Sequence, residues 1–224
     1  MSGHKVMVVA THPDDETLGC GGTLLKHQSV GDSIYWVIAT EMREEAGFEQ
    51  CAIRRRDMEI EKIAQSYRFA DVVRLGLTTT MVDRMPVRDV VETIAGAMGR
   101  VKPNIVYLPF AHDVHSDHRS IFSAAYSAAK AFRSSCIKRL LMMETLSETD
   151  AAPALSSQIF VPNFFVDISA FIRAKCDMLR IYKSELGRPP FPRSIATVRS
   201  LASFRGASAG CRFAESFMSL KELW

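Results

Sequence analysis

Residues 5–16 read KVMVVATHPDDE, and this stretch decides the fold. Lys5–Ala10 is a short apolar run of the kind that forms a buried strand in a parallel sheet. The polar turn His12–Glu16 follows directly, and the apolar spacing of Thr17–Ser29 then predicts a helix that stops at Gly31. A buried strand that passes through a tight polar turn into a helix is typical of the first unit of an α/β fold.

The rest of the chain repeats this alternation. Further strands are predicted at Ser33–Ala39, Asp71–Leu75, Asn104–Leu108, Arg139–Thr145 and Phe164–Ile168. Further helices are predicted at Cys51–Tyr67, Pro86–Val101, His118–Phe132, Phe171–Ser184 and Ile195–Phe204. We therefore expect an α/β, doubly wound (Rossmann-like), mostly parallel sheet with helices on both faces and a C-terminal elaboration. No linker or repeat interrupts the pattern, so a single domain is predicted over residues 1–224.

Composition excludes several classes of protein. Hydrophobic residues make up 47% and charged residues 24% of the 224 residues, which is typical of a globular protein and not of a disordered one. The net charge of +3 is too small to indicate a nucleic-acid partner. The five cysteines are scattered singly, which argues against a disulfide framework and favours a reducing, cytoplasmic compartment. No signal peptide and no membrane span is predicted, because no apolar run is long enough.

Histidines and acidic residues cluster after two of the predicted strands. The clusters are His12-Pro-Asp-Asp-Glu16 and His115-Ser-Asp-His118. In an open parallel sheet, ligands bind outside the carboxyl ends of the strands. Imidazole and carboxylate groups are zinc ligands, and three protein ligands with one open position are typical of catalytic zinc. The remaining aspartate and histidine would then be free for proton transfer.

Each cluster alone has a simpler explanation. Asp15 or Thr17 could cap the helix that follows the first strand, and Ser116 or Asp117 could cap the later helix. A lone histidine in a loop is usually a surface residue. Two His/Asp clusters at two strand ends of one sheet are harder to explain in this way, so we prefer the hypothesis of a metal site.

The two motifs together resemble the PIG-L/LmbE family of zinc-dependent N-acetyl-sugar deacetylases. The family pattern AHPDDE corresponds to Thr11–Glu16 and HPDH to His115–His118, and the residues that differ, Thr11 and Ser116, supply no ligand. Arg56-Asp-Met-Glu59 is similar to the R-x-x-E helix motif of the family. Three C-terminal segments resemble a bacterial subgroup linked to surface-polysaccharide and amino-sugar pathways: Glu144–Thr149, Phe160–Asn163 and Arg205–Glu215.

The resemblance implies a role for each residue. The zinc ligands would be His12, Asp15 and His118. Asp14 would be the general base that takes a proton from the attacking water, and His115, oriented by Asp117, would be the general acid or the partner of the oxyanion. Arg56 would hydrogen-bond the sugar hydroxyls, with help from the charged loop Glu41–Glu49. The substrate would be an N-acetylglucosamine-type conjugate, nucleotide- or lipid-linked ones included, cleaved to the free amine and acetate. Fe²⁺ or another divalent metal is an alternative to zinc.

Three other interpretations stay open. Gly19-Cys-Gly-Gly22 could suggest a dinucleotide-binding turn, but it lacks the G-x-G-x-x-G spacing, and we expect these glycines to let the helix approach the sheet. A zinc amidohydrolase for a different acylated amine and a non-catalytic sugar-binding relative are the other two. The resemblance leaves open which conjugate is cleaved, which divalent metal is bound and whether the chain forms a homo-oligomer.

Overall fold

Apolar strands and amphipathic helices alternate along residues 3–224, the part of the chain that the computed structural model describes. The strands are β1 (Lys5–Ala10), β2 (Ser33–Glu41), β3 (Asp71–Thr78), β4 (Ile105–Leu108), β5 (Arg139–Met143), β6 (Phe164–Asp167) and β7 (Ala214–Glu222). The helices are α1 (Asp15–Ser29), α2 (Gln50–Tyr67), α3 (Val87–Val101), α4 (Ser116–Ala128), α5 (Ile172–Leu179) and α6 (Ile195–Ala209). Short 3₁₀ turns lie at Glu44–Ala46 and Val82–Arg84.

All seven strands join one sheet in the order β3-β2-β1-β4-β5-β7-β6. The first five of these are parallel to their neighbours, and β7 is antiparallel to both β5 and β6. The chain winds outward in one direction from β1 to β3 and in the other from β4 to β5. The strand order therefore reverses between β1 and β4, which places a ligand-binding crevice beyond the carboxyl ends of these two strands.

Side chains of β1 alternate between two apolar cores. Val6 and Val8 pack on one face of the sheet against α1 and α2, through residues such as Leu24 and Ile63. Met7 and Val9 pack on the opposite face against α3 and α4. Residues at successive positions of a strand point to opposite faces, so a strand that is apolar at every position must be covered on both sides. The predicted doubly wound arrangement is confirmed.

The C-terminal elaboration differs most from the sequence prediction. β7 was not predicted, because Ala, Glu, Leu and Lys favour helices and only the pairing of this segment with β5 and β6 makes it a strand. Two predicted helices are shorter in the structure: α4 ends at Ala128 instead of Phe132, and α5 ends at Leu179 instead of Ser184. α6 is longer and ends at Ala209, where Gly210 adopts a left-handed conformation.

Two further expectations concern the cysteines and the membrane. All five cysteines are free, as expected. Among residues 3–224, no helix has both the length and the apolar character that crossing a bilayer requires.

The glycines of α1 let the helix lie against the sheet. A Cβ atom at Gly19 would approach the side chain of Met143 in β5 to 2.7 Å, and one at Gly22 would approach Ile168 to 2.8 Å. Neither position can carry a larger side chain without displacing its neighbour. This close packing confirms the interpretation of Gly19–Gly22 as packing residues.

α1 is broken at Cys20, where the backbone angles (φ −145°, ψ 19°) are not helical. The break frees backbone groups that would otherwise bond within the helix. The Glu215 carboxylate accepts hydrogen bonds from the N–H groups of Gly22 (2.9 Å) and Thr23 (2.7 Å), and so caps the second half of α1. The Lys175 ammonium donates to the carbonyl of Leu18 (2.8 Å) and pairs with Glu215 (2.6 Å). Two buried charges from α5 and β7 thus complete the broken helix.

We predict that Glu215→Ala destabilises the fold strongly. The substitution leaves Lys175 as an unpaired buried charge and two N–H groups without acceptors, which should cost about 3–5 kcal/mol of unfolding free energy. Urea denaturation with a chelator present measures this free energy without any contribution from bound metal.

Glu222→Ala is the matched control on the same strand. Glu222 pairs with Arg139 near the surface, so its loss should cost less than about 1 kcal/mol. Equal losses for the two variants would contradict a structural role for the buried pair.

Candidate metal centre and active site

The turn after β1 presents its two aspartates in different directions. His12 donates its backbone N–H to Asp15 Oδ2 (2.8 Å), and Asp14 donates its own to Glu16 Oε2 (3.0 Å). Asp14 has a φ of 135°, which non-glycine residues rarely adopt. The Asp15 carboxylate therefore faces His12 and His118, whereas the Asp14 carboxylate faces Arg193.

His12, Asp15 and His118 form a compact set of potential metal ligands. His118 Nε2 lies 3.3 Å from both Asp15 Oδ2 and His12 Nδ1, and His12 Nδ1 lies 3.9 Å from Asp15 Oδ2. Ligand atoms of a tetrahedral zinc ion, each about 2.0–2.2 Å from the metal, are themselves about 3.3–3.5 Å apart. The spacing and the donor types of the three groups therefore fit zinc or a similar divalent ion.

The surroundings of the cluster also favour a positive charge. Burial alone would lower the pKa of His118, but Asp15 and Asp113 hold it well above the usual value. Burial would likewise raise the pKa of Asp15, but His118 and His12 lower it below the usual value. A site that stabilises a proton on His118 next to an ionised carboxylate also favours a metal cation in place of that proton.

In each histidine of the cluster, the ring nitrogen that faces away from the other ligands contacts a carboxylate. Asp113 Oδ2 lies 2.8 Å from His118 Nδ1, which directs Nε2 toward the cluster, and Thr149 Oγ1 donates to the other oxygen of Asp113 (2.6 Å). Asp117 Oδ2 lies 3.3 Å from His12 Nε2, which directs Nδ1 toward the cluster. Carboxylates in this position fix the tautomer and orientation of metal-binding histidines. The role of Asp113 was not predicted from the sequence, although it lies two residues before His115.

The family resemblance implied that Asp117 orients His115, and in the structure the contact between them is made by the Asp117 backbone and not by its carboxylate. Its oxygens accept the backbone N–H groups of Thr80 (2.6 Å) and Val82 (3.2 Å) and contact His12. The backbone N–H of Asp117 instead donates to His115 Nδ1 (3.1 Å). His115 is thereby the N-terminal cap of α4, a role that the simpler explanation gave to Ser116 or Asp117. The side chains of Asp15 and Thr17 make no cap at α1.

His115 lies beside the cluster as a hydrogen-bond donor. Burial and the nearby His12 lower the pKa of His115 below its usual value, so the ring is neutral at pH 7. Because Nδ1 accepts a hydrogen bond, the single ring proton is on Nε2. The His115 and His12 ring centroids are 4.6 Å apart.

A second arrangement of ligands involves His12, His115 and Asp117. Both oxygens of Asp117 already accept backbone N–H groups, and His115 Nδ1 accepts another. The first set, by contrast, has one ring nitrogen of each histidine and one oxygen of Asp15 within 3.3–3.9 Å of one another. This set is therefore the better candidate for a metal site.

Asp14 lies in a buried, charged environment. Burial raises its pKa well above the usual value, and the negative charges of Asp15 and Glu185 raise it further, whereas Arg193 and Arg56 lower it. Arg193 Nη1 lies 3.4 Å from Asp14 Oδ2. Arg193 comes from the proline-rich loop after α5, and no motif in the sequence indicated this contact.

Arg56 is buried, although two other arginines precede it in α2. Its guanidinium donates to the carbonyl of Pro13 (2.5 Å) and pairs with Glu185. Its Nε lies 3.3 Å from Glu59 Oε2. The R-x-x-E motif therefore places Arg56 directly behind the turn that carries Asp14, where it also lines the cavity described next.

A cavity of about 310 Å³ opens over these groups. Its floor is formed by His12, Asp14, Asp15 and His115, and its walls come from α2, from the segment after β2 and from the loop that carries Arg193. The cavity is therefore at the reversal of strand order, and it is lined by Asp14 and by two of the three clustered groups, His12 and Asp15, with His118 buried behind them.

Glu16 lies behind the site in a buried network. Tyr182 donates to Glu16 Oε1 (2.9 Å), and so does Thr17 (2.5 Å). Burial raises the pKa of Glu16 to about 7, although these hydrogen bonds lower it. The Asp14 N–H also bonds to Glu16, so the network supports the strained turn.

Comparison with known proteins gives matches in sequence and in structure. Residues 7–129 match the family model of the PIG-L family, GlcNAc-PI de-N-acetylase. A diacetylchitobiose deacetylase of Thermococcus kodakarensis is 22% identical over 221 residues, covering 94% of this chain and 81% of that protein.

Two solved structures are similar in fold. The N,N'-diacetylchitobiose deacetylase of Pyrococcus horikoshii superimposes with a TM-score of 0.77 at 21% identity, covering 97% of this chain and 84% of that one. GalB, the 4-carboxy-2-hydroxymuconate hydratase of Pseudomonas putida KT2440, superimposes with a TM-score of 0.73 at 16% identity, covering 99% and 98%. One fold therefore carries two reaction types, and the reaction must be argued from the site.

We predict that His118→Ala purifies with little bound metal, whereas Asp113→Asn binds metal about 10–100-fold more weakly than the unchanged chain. The first change removes a ligand, and the second removes only the group that orients it. Elemental analysis and competition with a chelator measure the two effects.

His27→Ala is the control. His27 also contacts a carboxylate, Asp32, but it lies in the last turn of α1, away from the cluster, so its metal content should be normal. Full metal occupancy in His118→Ala would show that the ligand assignment is wrong.

Proposed function

Because the chain belongs to the PIG-L family of GlcNAc-PI de-N-acetylases, we propose that it is a metal-dependent deacetylase. It hydrolyses the N-acetyl group of an N-acetylated amino sugar conjugate and releases the free amine and acetate. The observation that carries this proposal is the close approach of His12, Asp15 and His118, of which His12 and Asp15 line a cavity together with Asp14 and His115.

Zinc is the metal we propose, and Fe²⁺ or another divalent ion is compatible with the same nitrogen and oxygen donors. When bound, such an ion polarises an amide carbonyl and makes a water molecule acidic enough to attack it near neutral pH. The ligands would be His12, Asp15 and His118.

Asp14 is the proposed general base. Its carboxylate lines the cavity next to the ligand Asp15 but is directed away from the other two ligands. Burial and the neighbouring carboxylates raise the pKa of Asp14. A higher pKa makes the ionised carboxylate a stronger base toward the attacking water. The same group can then return that proton to the nitrogen of the departing amine.

His115 is the proposed partner of the carbonyl oxygen. Its Nε2–H is free of the hydrogen bond that occupies Nδ1, so it can donate to the oxygen as negative charge develops there. A neutral imidazole is a poor general acid, because loss of its proton would leave an anion. The tautomer therefore supports the oxyanion role over the alternative of protonating the amine. Asp117 acts through its backbone on His115 and through its carboxylate on His12.

The fold alone does not distinguish deacetylation from hydration or from hydrolysis of another acylated amine. A panel of N-acetylhexosamine conjugates, incubated with zinc-loaded protein and assayed for both acetate and primary amine, tests the reaction. Equal amounts of the two products are expected. If another acyl amide is cleaved while no N-acetyl sugar is, the proposed substrate class is wrong.

We predict that Asp14→Asn keeps its metal and loses about 10²–10⁴-fold in turnover. Asparagine has nearly the shape of aspartate and tolerates a positive φ, so the turn should survive while the proton acceptor is lost. Metal analysis and acetate release are measured on the same sample.

Asp15→Asn is the matched neighbour. An amide is a poorer ligand than a carboxylate, so this variant should be depleted of metal. If Asp14→Asn turns over at a near-normal rate with normal metal content, the base is a different residue.

We also predict that Arg56→Lys lowers kcat more than it raises KM. Lysine keeps the positive charge but cannot bond to Pro13 and Glu185 with the same planar geometry, so the turn that carries Asp14 loses its support. Steady-state kinetics on an N-acetyl sugar separates the two parameters. A rise in KM at unchanged kcat would instead support direct binding of the sugar hydroxyls by Arg56.

A further inference from the structure

The walls of the cavity over the proposed metal site are predominantly acidic. Six carboxylates line the cavity, but only three guanidinium groups line it. The carboxylates are Asp14, Asp15, Glu41, Asp57, Glu148 and Glu185. The guanidinium groups are Arg56, Arg74 and Arg193, and no lysine is among the lining residues of the described chain.

The three guanidinium groups are already paired with carboxylates inside the cavity. Arg56 pairs with Glu185, and Arg193 lies 3.4 Å from both Glu185 and Asp14. These contacts leave the inner wall without a cation that is free to bind a phosphate.

The guanidinium group at the rim of the cavity, that of Arg74, is also paired with carboxylates. Arg74 Nη1 lies 2.8 Å from Asp57 Oδ1, and its Nη2 lies 3.6 Å from Glu41 Oε2. The side chains of Arg74, Asp57 and Glu41 are between a quarter and a half exposed, whereas Asp14 and Asp15 are buried. The three exposed side chains therefore lie at the entrance of the cavity. The apolar side chains of Met42, Phe48 and Ile53 also line the cavity. Recognition of a phosphate group generally needs uncompensated arginine or lysine side chains or a helix N-terminus.

We propose that the conjugate hydrolysed at this site is an uncharged glycoside of the N-acetylated sugar, and not a nucleotide- or phosphate-linked one. The inference rests on the proposed function and narrows it. A phosphate at the rim would have to displace Glu41 and Asp57 from the arginines that they pair with, Arg43 and Arg74, whereas a neutral aglycone can pack on Met42, Phe48 and Ile53.

The first test compares substrates of different charge. Methyl N-acetyl-β-glucosaminide, N-acetylglucosamine 1-phosphate and UDP-N-acetylglucosamine are assayed for acetate release. We expect kcat/KM for the neutral glycoside to exceed that of either anion at least about tenfold at low ionic strength. Raising the salt to about 0.3 M should narrow the difference, because salt screens repulsion between exposed charges. Equal or better turnover of an anion, or a difference that salt leaves unchanged, would overturn the proposal.

The second test changes the rim. The double variant Glu41→Gln/Asp57→Asn removes two carboxylates and frees both Arg74 and Arg43. The ratio of kcat/KM for the phosphate ester to that for the neutral glycoside should rise roughly tenfold.

The control Glu92→Gln/Asp177→Asn removes two carboxylates that pair with arginines outside the cavity, so the ratio should not change. An unchanged ratio in the rim variant would count against the assigned role of Glu41 and Asp57.

Failure of the proposed function gives a different result. If no N-acetyl sugar releases acetate, deacetylation is wrong, and the charge of the cavity is then tested by calorimetric titration with UDP, with and without zinc. Binding weaker than about 1 mM is expected, and tighter binding would overturn the inference about charge.

Discussion

The buried pair of Lys175 and Glu215 is the constraint on which the site depends. α1 begins with Asp15, a proposed metal ligand, and is broken five residues later at Cys20. Without the carboxylate of Glu215 and the ammonium of Lys175, the N–H and carbonyl groups at the break would be buried without partners. The C-terminal elaboration is therefore part of the scaffold of the proposed metal site. The match to the family model ends at residue 129, well before either of these two residues.

Separation of two adjacent carboxylates is the main chemical feature of the site. Asp15 meets two histidines that hold its pKa low, and Asp14 lies in a buried pocket with other acids that raise its pKa. The positive φ of Asp14 directs the neighbours into these two environments. Groups of the same type acquire different roles when their environments shift their pKa values in opposite directions. The Arg56 contact to Pro13 and the Glu16 contact to Asp14 hold the strained turn in place.

The sequence was sufficient for the parts of the structure that depend on local patterns. Short continuous apolar runs predicted β1 to β6 and, with the helical spacing between them, the parallel core, and the motifs around His12 and His118 predicted which side chains meet at the strand ends. β7 could not be predicted, because its residues favour a helix and only the neighbouring strands make it extended. The contacts of Asp113 and Arg193 likewise depend on loops whose path is set by tertiary packing. The contact of the Asp117 carboxylate with His12 was not predicted for the same reason, since spacing along the chain does not give the direction of a side chain.

The cap that Glu215 provides to α1 also limits how early during synthesis the first helix can be fully hydrogen-bonded. Gly22 and Glu215 are 193 residues apart, so the second half of the first helix has no acceptor for two of its N–H groups until β7 has been made. β7 can deliver Glu215 only after it has paired between β5 and β6. A contact of such long range forms late, because a long loop must close first. While the chain is being synthesised, the segment with the first histidine of the proposed metal site is therefore attached to an unfinished helix. The second half of that helix is capped only when β7 lies between β5 and β6.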